Sequence, residues 1–153
     1  MRQFIERCGA AAAARGVQPR FLQTSVDDHG AGLARGAIRA GAGLIFAVGG
    51  DGTVRACSEA LAGTKVPLAI VPRGTANLAA RALRVPSGLA AALAVGFGGH
   101  ERRIDLADAD GMTFAAMAGM GVDAAVVGAT SGLLKDRAGR SQAACQRPQR
   151  GRA

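Results

Sequence analysis

Apolar and polar positions along this chain switch repeatedly between a helical period and short unbroken hydrophobic runs. Arg2 to about Arg15 carries Phe4, Ile5 and Cys8 near one face with an alanine run behind, which predicts a helix ended by Gly16. Arg20-Phe21-Leu22-Gln23-Thr24 reads as a short strand, and Ser25 to Gly32 as a polar, glycine-punctuated loop. Gly32 to Ala40 is helical, with Leu33, Ala34, Ala37 and Ile38 on one side, and Gly41 closes it. Residues 44–48 (Leu-Ile-Phe-Ala-Val) then form an apolar run of strand character. Val54 to about Leu61 is helical, and Pro67 to Val71 is a second buried-strand run stopped by Pro72. Ala76 to Leu83 and Pro86 to about Val95 favour helix, and Gly96, Gly98 and Gly99 break the pattern. Strands alternating with short helices predict βαβ units around a parallel sheet, an α/β fold of Rossmann-like type.

The texture changes at His100. Arg102 to Asp108 alternates polar and apolar, Asp110-Gly111 is a strong hairpin turn, and Met112 to Ala118 supplies a returning strand. A domain boundary is therefore expected near 98–100. Residues 1–98 form the α/β domain, and 99–137 begin an antiparallel, β-rich second domain. From about Ala138 neither period nor core residues persist, and 138–153 is expected to be a disordered basic tail.

Composition sharpens this picture. Hydrophobic residues are 49% of the 153, but aromatics are only 3%, with no Trp or Tyr, so the core must be built from Ala, Leu, Val and Ile. The Ala-, Gly- and Arg-heavy usage points to a GC-rich bacterial coding bias. The net charge of +8 suggests nucleic acid until it is located. Six basic residues against Asp136 alone put +5 in residues 135–153, while 13 basic and 10 acidic groups leave +3 on residues 1–134. So balanced a body, without stacking aromatics, argues against nucleic-acid binding. The tail is read as solvated, with contact to nucleic acid or to an anionic membrane surface as the other reading. Cys8, Cys57 and Cys145 are widely spaced, which indicates neither a disulfide framework nor a zinc site. No stretch approaches the ~20 apolar residues of a bilayer span, and no signal-peptide pattern opens the chain, so a cytoplasmic location is expected.

The chemistry is concentrated in two glycine turns. Gly49-Gly50-Asp51-Gly52-Thr53 follows one apolar strand and Pro72-Arg73-Gly74-Thr75-Ala76-Asn77 the next, so both fall at the carboxyl edge of the expected sheet, where ligands of open α/β sheets bind. Glycine lets backbone approach an anion, and a following helix aims its unpaired amides at the same point. Asp51 would repel phosphate unless a divalent cation or a proton-donating hydroxyl sits beside it. Either turn alone is as well explained as an ordinary connection built of turn and cap residues. The pair, in this order, favours a phosphate site. His29 and His100 are lone loop residues without partners.

With these residues in view, the chain resembles the catalytic domain of the diacylglycerol kinase and sphingosine kinase superfamily, in particular its bacterial lipid kinases. The resemblance rests on Gly49 to Val54, on Pro72 to Ala80, on Arg103-Ile104-Asp105-Leu106, and on Phe114 with Gly119-Met120-Gly121-Val122-Asp123-Ala124, and covers roughly residues 1–136. It implies ATP-dependent phosphorylation of a lipid hydroxyl, such as that of diacylglycerol, with Mg²⁺, and transient contact at the inner membrane face. By the same resemblance Gly49, Gly50, Gly52 and Thr53 hold the nucleotide phosphates. Asp51 meets the metal–phosphate cluster or accepts the acceptor's proton, and Gly74, Thr75 and Asn77 form the second nucleotide wall. Asp105 and Asp123 match family positions but read as structural.

The departures from the family pattern generate expectations of their own. Family members begin with a strand bearing an Asn-Pro-x-x-Gly-like turn, and continue through a β-rich domain with a further acidic catalytic group. This chain is therefore expected to lack its first strand and most of its lipid domain, with an Arg/Gln/Pro-rich end of the kind a frameshift produces, and to be a weak or inactive kinase. Two alternatives stay open. An NAD kinase-like enzyme shares the fold and the first turn, and a non-catalytic nucleotide-binding remnant would share the fold without the transfer.

Overall fold

The computed structural model describes residues 2–99, 101–109, 112–114 and 143–148. Chain order is α1 (Arg2–Ala13), β1 (Arg20–Gln23), α2 (Ala31–Arg39), β2 (Ala42–Gly49), α3 (Asp51–Leu61), β3 (Leu68–Pro72), α4 (Leu78–Ala82), α5 (Leu89–Gly98), β4 (Ala107–Ala109), β5 (Met112–Phe114) and β6 (Ala143–Pro148). Helix and strand alternate through β3 as the hydrophobic pattern predicts, with ends displaced by a few residues.

β2 is the centre of the sheet. It is buried along its length apart from Gly43, because helices cover both faces and neither set of alternating side chains meets water. Period-2 geometry divides its residues between two cores. Ile45 and Ala47 point into one, with Ala34 and Ala37 of α2, Val54, Cys57, Ala60 and Leu61 of α3, Ile70 of β3 and Ala79 and Ala80 of α4. Leu44, Phe46 and Val48 point into the other, with Cys8 of α1, Ala69 and Val71 of β3, and Ala92 and Leu93 of α5. The result is a three-layer α/β/α sandwich, with α2, α3 and α4 on one side and α1 and α5 on the other. Small residues dominate both cores, and Phe46 is the largest fully buried side chain. Its ring lies 4.8 Å from that of Phe97, tilted by 53°.

β2 and β3 pair in parallel, from Ile45 opposite Leu68 to Gly49 opposite Pro72. Both strands therefore end at the same edge, and each delivers its glycine turn there. β1 runs in the same direction as β2, since each is antiparallel to β6, which lies between them in the order β1-β6-β2-β3. β6 thus lies within the stretch where the hydrophobic pattern gives no element. β1 and β2 leave a one-strand gap with facing rows of backbone donors and acceptors, and an extended segment fills it by ladder bonds on both sides. Such bonding does not depend on a hydrophobic period, which is why the period gives no sign of it.

A small antiparallel pair, β4 with β5, brackets the Asp110-Gly111 turn, with Ala107 opposite Phe114 and Ala109 opposite Met112. Residues 102–106, expected to belong to its first strand, carry no strand structure. Their partners across the hairpin would be residues 115 onward, outside the described residues. The turn itself, the remainder of the returning strand, and Gly119 to Ala125 with Asp123 also lie outside them, and Asp105 is exposed. Among the described residues, no helix is long and apolar enough to cross a membrane.

One local device fixes the start of α2, a helix of the first core. The Asp28 carboxylate accepts the amides of Gly30 (2.8 Å), Gly32 (3.2 Å) and Leu33 (3.2 Å), and so caps α2 from outside the helix. Desolvation opposes its ionisation, but these backbone donors together outweigh it and hold the carboxyl below its ordinary value. On α3, burial pushes the Cys57 thiol up from 9.0 to about 11, with the Asp28 charge adding to the effect. A group with a raised native pKa stabilises the fold fully below its unfolded value and loses that contribution as pH rises through the native one. Melting temperature should thus fall between about pH 9 and pH 11 more steeply in the native chain than in Cys57→Ala. Parallel pH profiles would contradict the assignment.

A second prediction concerns Gly96 on α5. A Cβ there would collide with the Phe46 ring and lie 2.7 Å from the Ala69 Cβ. Helix propensity alone favours Gly→Ala by about 1 kcal/mol, whereas overpacking costs ~1–3 kcal/mol. Gly96→Ala should therefore lower stability in chemical denaturation, and a gain would show that α5 sits further from the sheet.

Candidate functional site

The two glycine turns meet. β2 ends at Gly49 and α3 begins at Asp51, with Gly50 as an extended N-cap residue that makes no side-chain cap. β3 ends at Pro72, and the ladder continues one step as the Arg73 amide donates to the Gly49 carbonyl at 2.8 Å. This bond brings the second turn alongside the first. Gly74 then packs backbone to backbone on Gly50. A Cβ on Gly74 would lie 2.5 Å from the Gly50 Cα, and one on Gly50 would lie 3.1 Å from the Gly74 Cα. Glycine is required at position 74, where a Cβ would run into the Gly50 backbone, and a Cβ at position 50 would be tighter than ordinary packing.

The second turn is held by Asn77. It adopts a left-handed conformation (φ 48°, ψ 48°), one of the few that a short polar side chain tolerates. Its side chain folds back on the turn: Oδ1 accepts the Gly74 amide at 2.8 Å and Nδ2 donates to the Gly74 carbonyl at 2.7 Å. Asn77 is the N-cap residue of α4, yet its side chain caps nothing in that helix. Asp51 performs that task instead. Its Oδ1 accepts the amide of Ala79, the second residue of α4, at 3.1 Å. A carboxylate on one turn therefore closes the helix that follows the other.

The expected site residues separate into three groups. Gly49, Gly50, Asp51, Gly74 and Asn77 form the joint between the turns. Gly52 and Thr75 are exposed at the same edge, and a Cβ on Gly52 would meet nothing within 4 Å, so the surface in front of the first turn of α3 is open. Thr53 is buried at 2% exposure beneath the strand end, its Oγ1 2.7 Å from where a Gly49 Cβ would stand. The hydroxyl thus belongs to the interior side of the turn, and backbone is what the turn offers outward.

Two features carry little or no signal in the sequence. Arg73 stacks its guanidinium 5.2 Å over the Phe4 ring of α1, which sets a cation beside the second turn. The Ala79 amide, partner of Asp51, has no side-chain signature at all. An Asn in the N-cap position close to glycine is the available hint, since an amide turned back on its own loop leaves the helix end for another group. Among the described residues, no group of three or more His, Cys, Asp or Glu could hold a metal ion. Asp51 is the one acidic residue of the two turns.

Residues 1–109 match the family model described as the diacylglycerol kinase catalytic domain. A probable lipid kinase of Pseudomonas aeruginosa, described as YegS-like, is 40% identical over 135 residues, which cover 85% of this chain and 44% of that protein. A relative of the same description from Pseudomonas fluorescens is 43% identical over 105 residues, 67% of this chain and 35% of the relative. An uncharacterised Synechocystis protein is 36% identical over 99 residues, 65% of this chain and 23% of its own length. The chain thus spans less than half the length of these curated relatives. No solved structure matches it.

The joint is open to test by substitution. Asn77→Ala removes two hydrogen bonds, each worth about 1 kcal/mol, and replaces an Asn, whose side chain eases the left-handed region, with an Ala for which that region costs a further ~1–2 kcal/mol. Asn77→Gly loses the bonds but tolerates the backbone, so its loss of stability in denaturant titration should be the smaller. Equal losses would show that the left-handed turn is not kept.

Proposed function

The chain belongs to the diacylglycerol kinase catalytic domain family, and on that premise we propose that its glycine joint binds the polyphosphate of ATP for transfer of the γ-phosphoryl group to a lipid hydroxyl. The observation that carries the proposal is the contact of Gly50 with Gly74, because it turns two separate loops into one continuous backbone surface at the edge where open α/β sheets bind ligands. Gly49, Gly50 and Gly52 supply side-chain-free backbone and the first amides of α3, which have no carbonyl one turn back to receive them. Gly74, Thr75 and Asn77 supply the facing wall, and buried Thr53 supports the first turn from beneath. Phosphoryl transfer needs positioning and charge neutralisation more than covalent chemistry from the protein, and such a cradle provides the first.

The donor set fits Mg²⁺ carried on the nucleotide. Mg²⁺ keeps several waters and is commonly held by one or two carboxylates together with phosphate oxygens, and Asp51 offers the one carboxylate of the turns. When bound, the ion would neutralise charge on the transferring phosphate. Asp51, with Oδ1 held by the Ala79 amide, would have its second oxygen to offer that cluster or the acceptor's hydroxyl proton. Arg73 adds a fixed positive charge at the rim. The acceptor is a diacylglycerol-like lipid alcohol, presented at a membrane surface.

Two measurements test the proposal. ATP at a hundredfold excess over its Kd should stabilise this chain by about 2.7 kcal/mol, seen as a rise in melting temperature that AMP does not reproduce. In a protein of the relatives' length carrying these two turns, labelled γ-phosphate should appear on diacylglycerol. Transfer to NAD in place of lipid would favour the NAD kinase-like reading, and binding without transfer the non-catalytic one.

A further inference from the structure

We infer that Asp51 is a positioning residue, the latch that sets the second glycine turn against the first, in addition to any part its charge plays in the reaction. The inference rests on the nucleotide-site reading but comes from a separate observation. In most helices the N-cap side chain itself accepts an amide from the second or third residue. In α4 that side chain, Asn77, is committed on both its atoms to Gly74. The amide of Ala79 is instead taken by Asp51, 28 positions earlier in the chain and on a different helix.

The geometry explains why the acceptor comes from there. Gly50 and Gly74 are in backbone contact, so the residue after Gly50 stands directly beside the start of α4. Ala79 and Ala80 are buried in the core shared with α3, which brings the two helix starts together. An acceptor on the first turn can therefore hold the second, while Asn77 could do so only by breaking its pair with Gly74. The latch also occupies the Ala79 amide, which is therefore engaged within the protein. Asp51 thus offsets its repulsion of phosphate by fixing the surface that binds it.

Charge and latch make opposite predictions, which separates them. Measured with a fluorescent ATP analogue in EDTA, loss of a carboxylate beside a polyphosphate should tighten binding on charge grounds alone. If Asp51 is the latch, Asp51→Ala binds about five- to tenfold more weakly despite losing that charge. Asp51→Asn, which keeps an acceptor oxygen, binds as tightly as the native chain or tighter. Amide hydrogen exchange at Ala79 reads the latch without nucleotide: protection should fall by about tenfold in Asp51→Ala and survive in Asp51→Asn. A chain that binds no nucleotide yet shows this exchange pattern would overturn the nucleotide reading and leave the latch standing. Unchanged exchange in Asp51→Ala, or equal loss in both variants, would overturn the latch. Failure of Asp51→Ala to fold while Asp51→Asn folds supports it, and failure of both counts against it.

Discussion

The contact between Gly50 and Gly74 depends on everything beneath it and determines everything above it. Two parallel strands can end side by side only if helices on both faces hold them in register, and here a core of small residues does so. The strands then stop at the same level, and a single extra ladder bond, from the Arg73 amide to the Gly49 carbonyl, carries the second turn across the end of the first. At that point two backbones touch with no room for a side chain between them. Neither turn is unusual alone. Their conjunction gives a rigid surface of peptide groups, the feature that a highly charged and rather featureless ligand such as polyphosphate requires.

The polar groups around the joint are turned inward on the site itself. Asn77 stitches its own turn, Asp51 closes the helix after it, and Thr53 fills the space under the strand end. Three residues that sequence reasoning would give to the ligand are thus at least partly engaged in shaping the site. This is consistent with the demands of phosphoryl transfer, in which preorganised position contributes more than any single reacting side chain. Arg73, steadied by Phe4, is the positive group nearest in sequence to the joint, and it links the site to α1.

Much of this architecture is legible in the amino-acid sequence itself. The unbroken run at 44–48 announces a strand buried on both faces, and Gly, Asp and Thr after it announce a phosphate-type turn. The spacing of the second turn, after a second apolar run, puts both at one sheet edge. Relations that leave no side-chain pattern are not legible in this way. The fit of Gly74 on Gly50 and the capture of the Ala79 amide are backbone events between residues far apart in the chain. The direction of the Thr53 hydroxyl depends on which face of α3 meets the strand end. β6 is silent for a similar cause: it enters the sheet by filling a gap between β1 and β2, and ladder bonding makes little demand on sequence.

The central claim is that the two turns act as one binding surface, and a nucleotide titration followed amide by amide tests it most directly. In two-dimensional amide spectra, ATP should shift the resonances of Asp51, Gly52 and Thr53 together with those of Gly74, Thr75 and Asn77, and all should report the same dissociation constant. Shifts confined to one turn, or saturating at different concentrations on the two, would contradict a shared site.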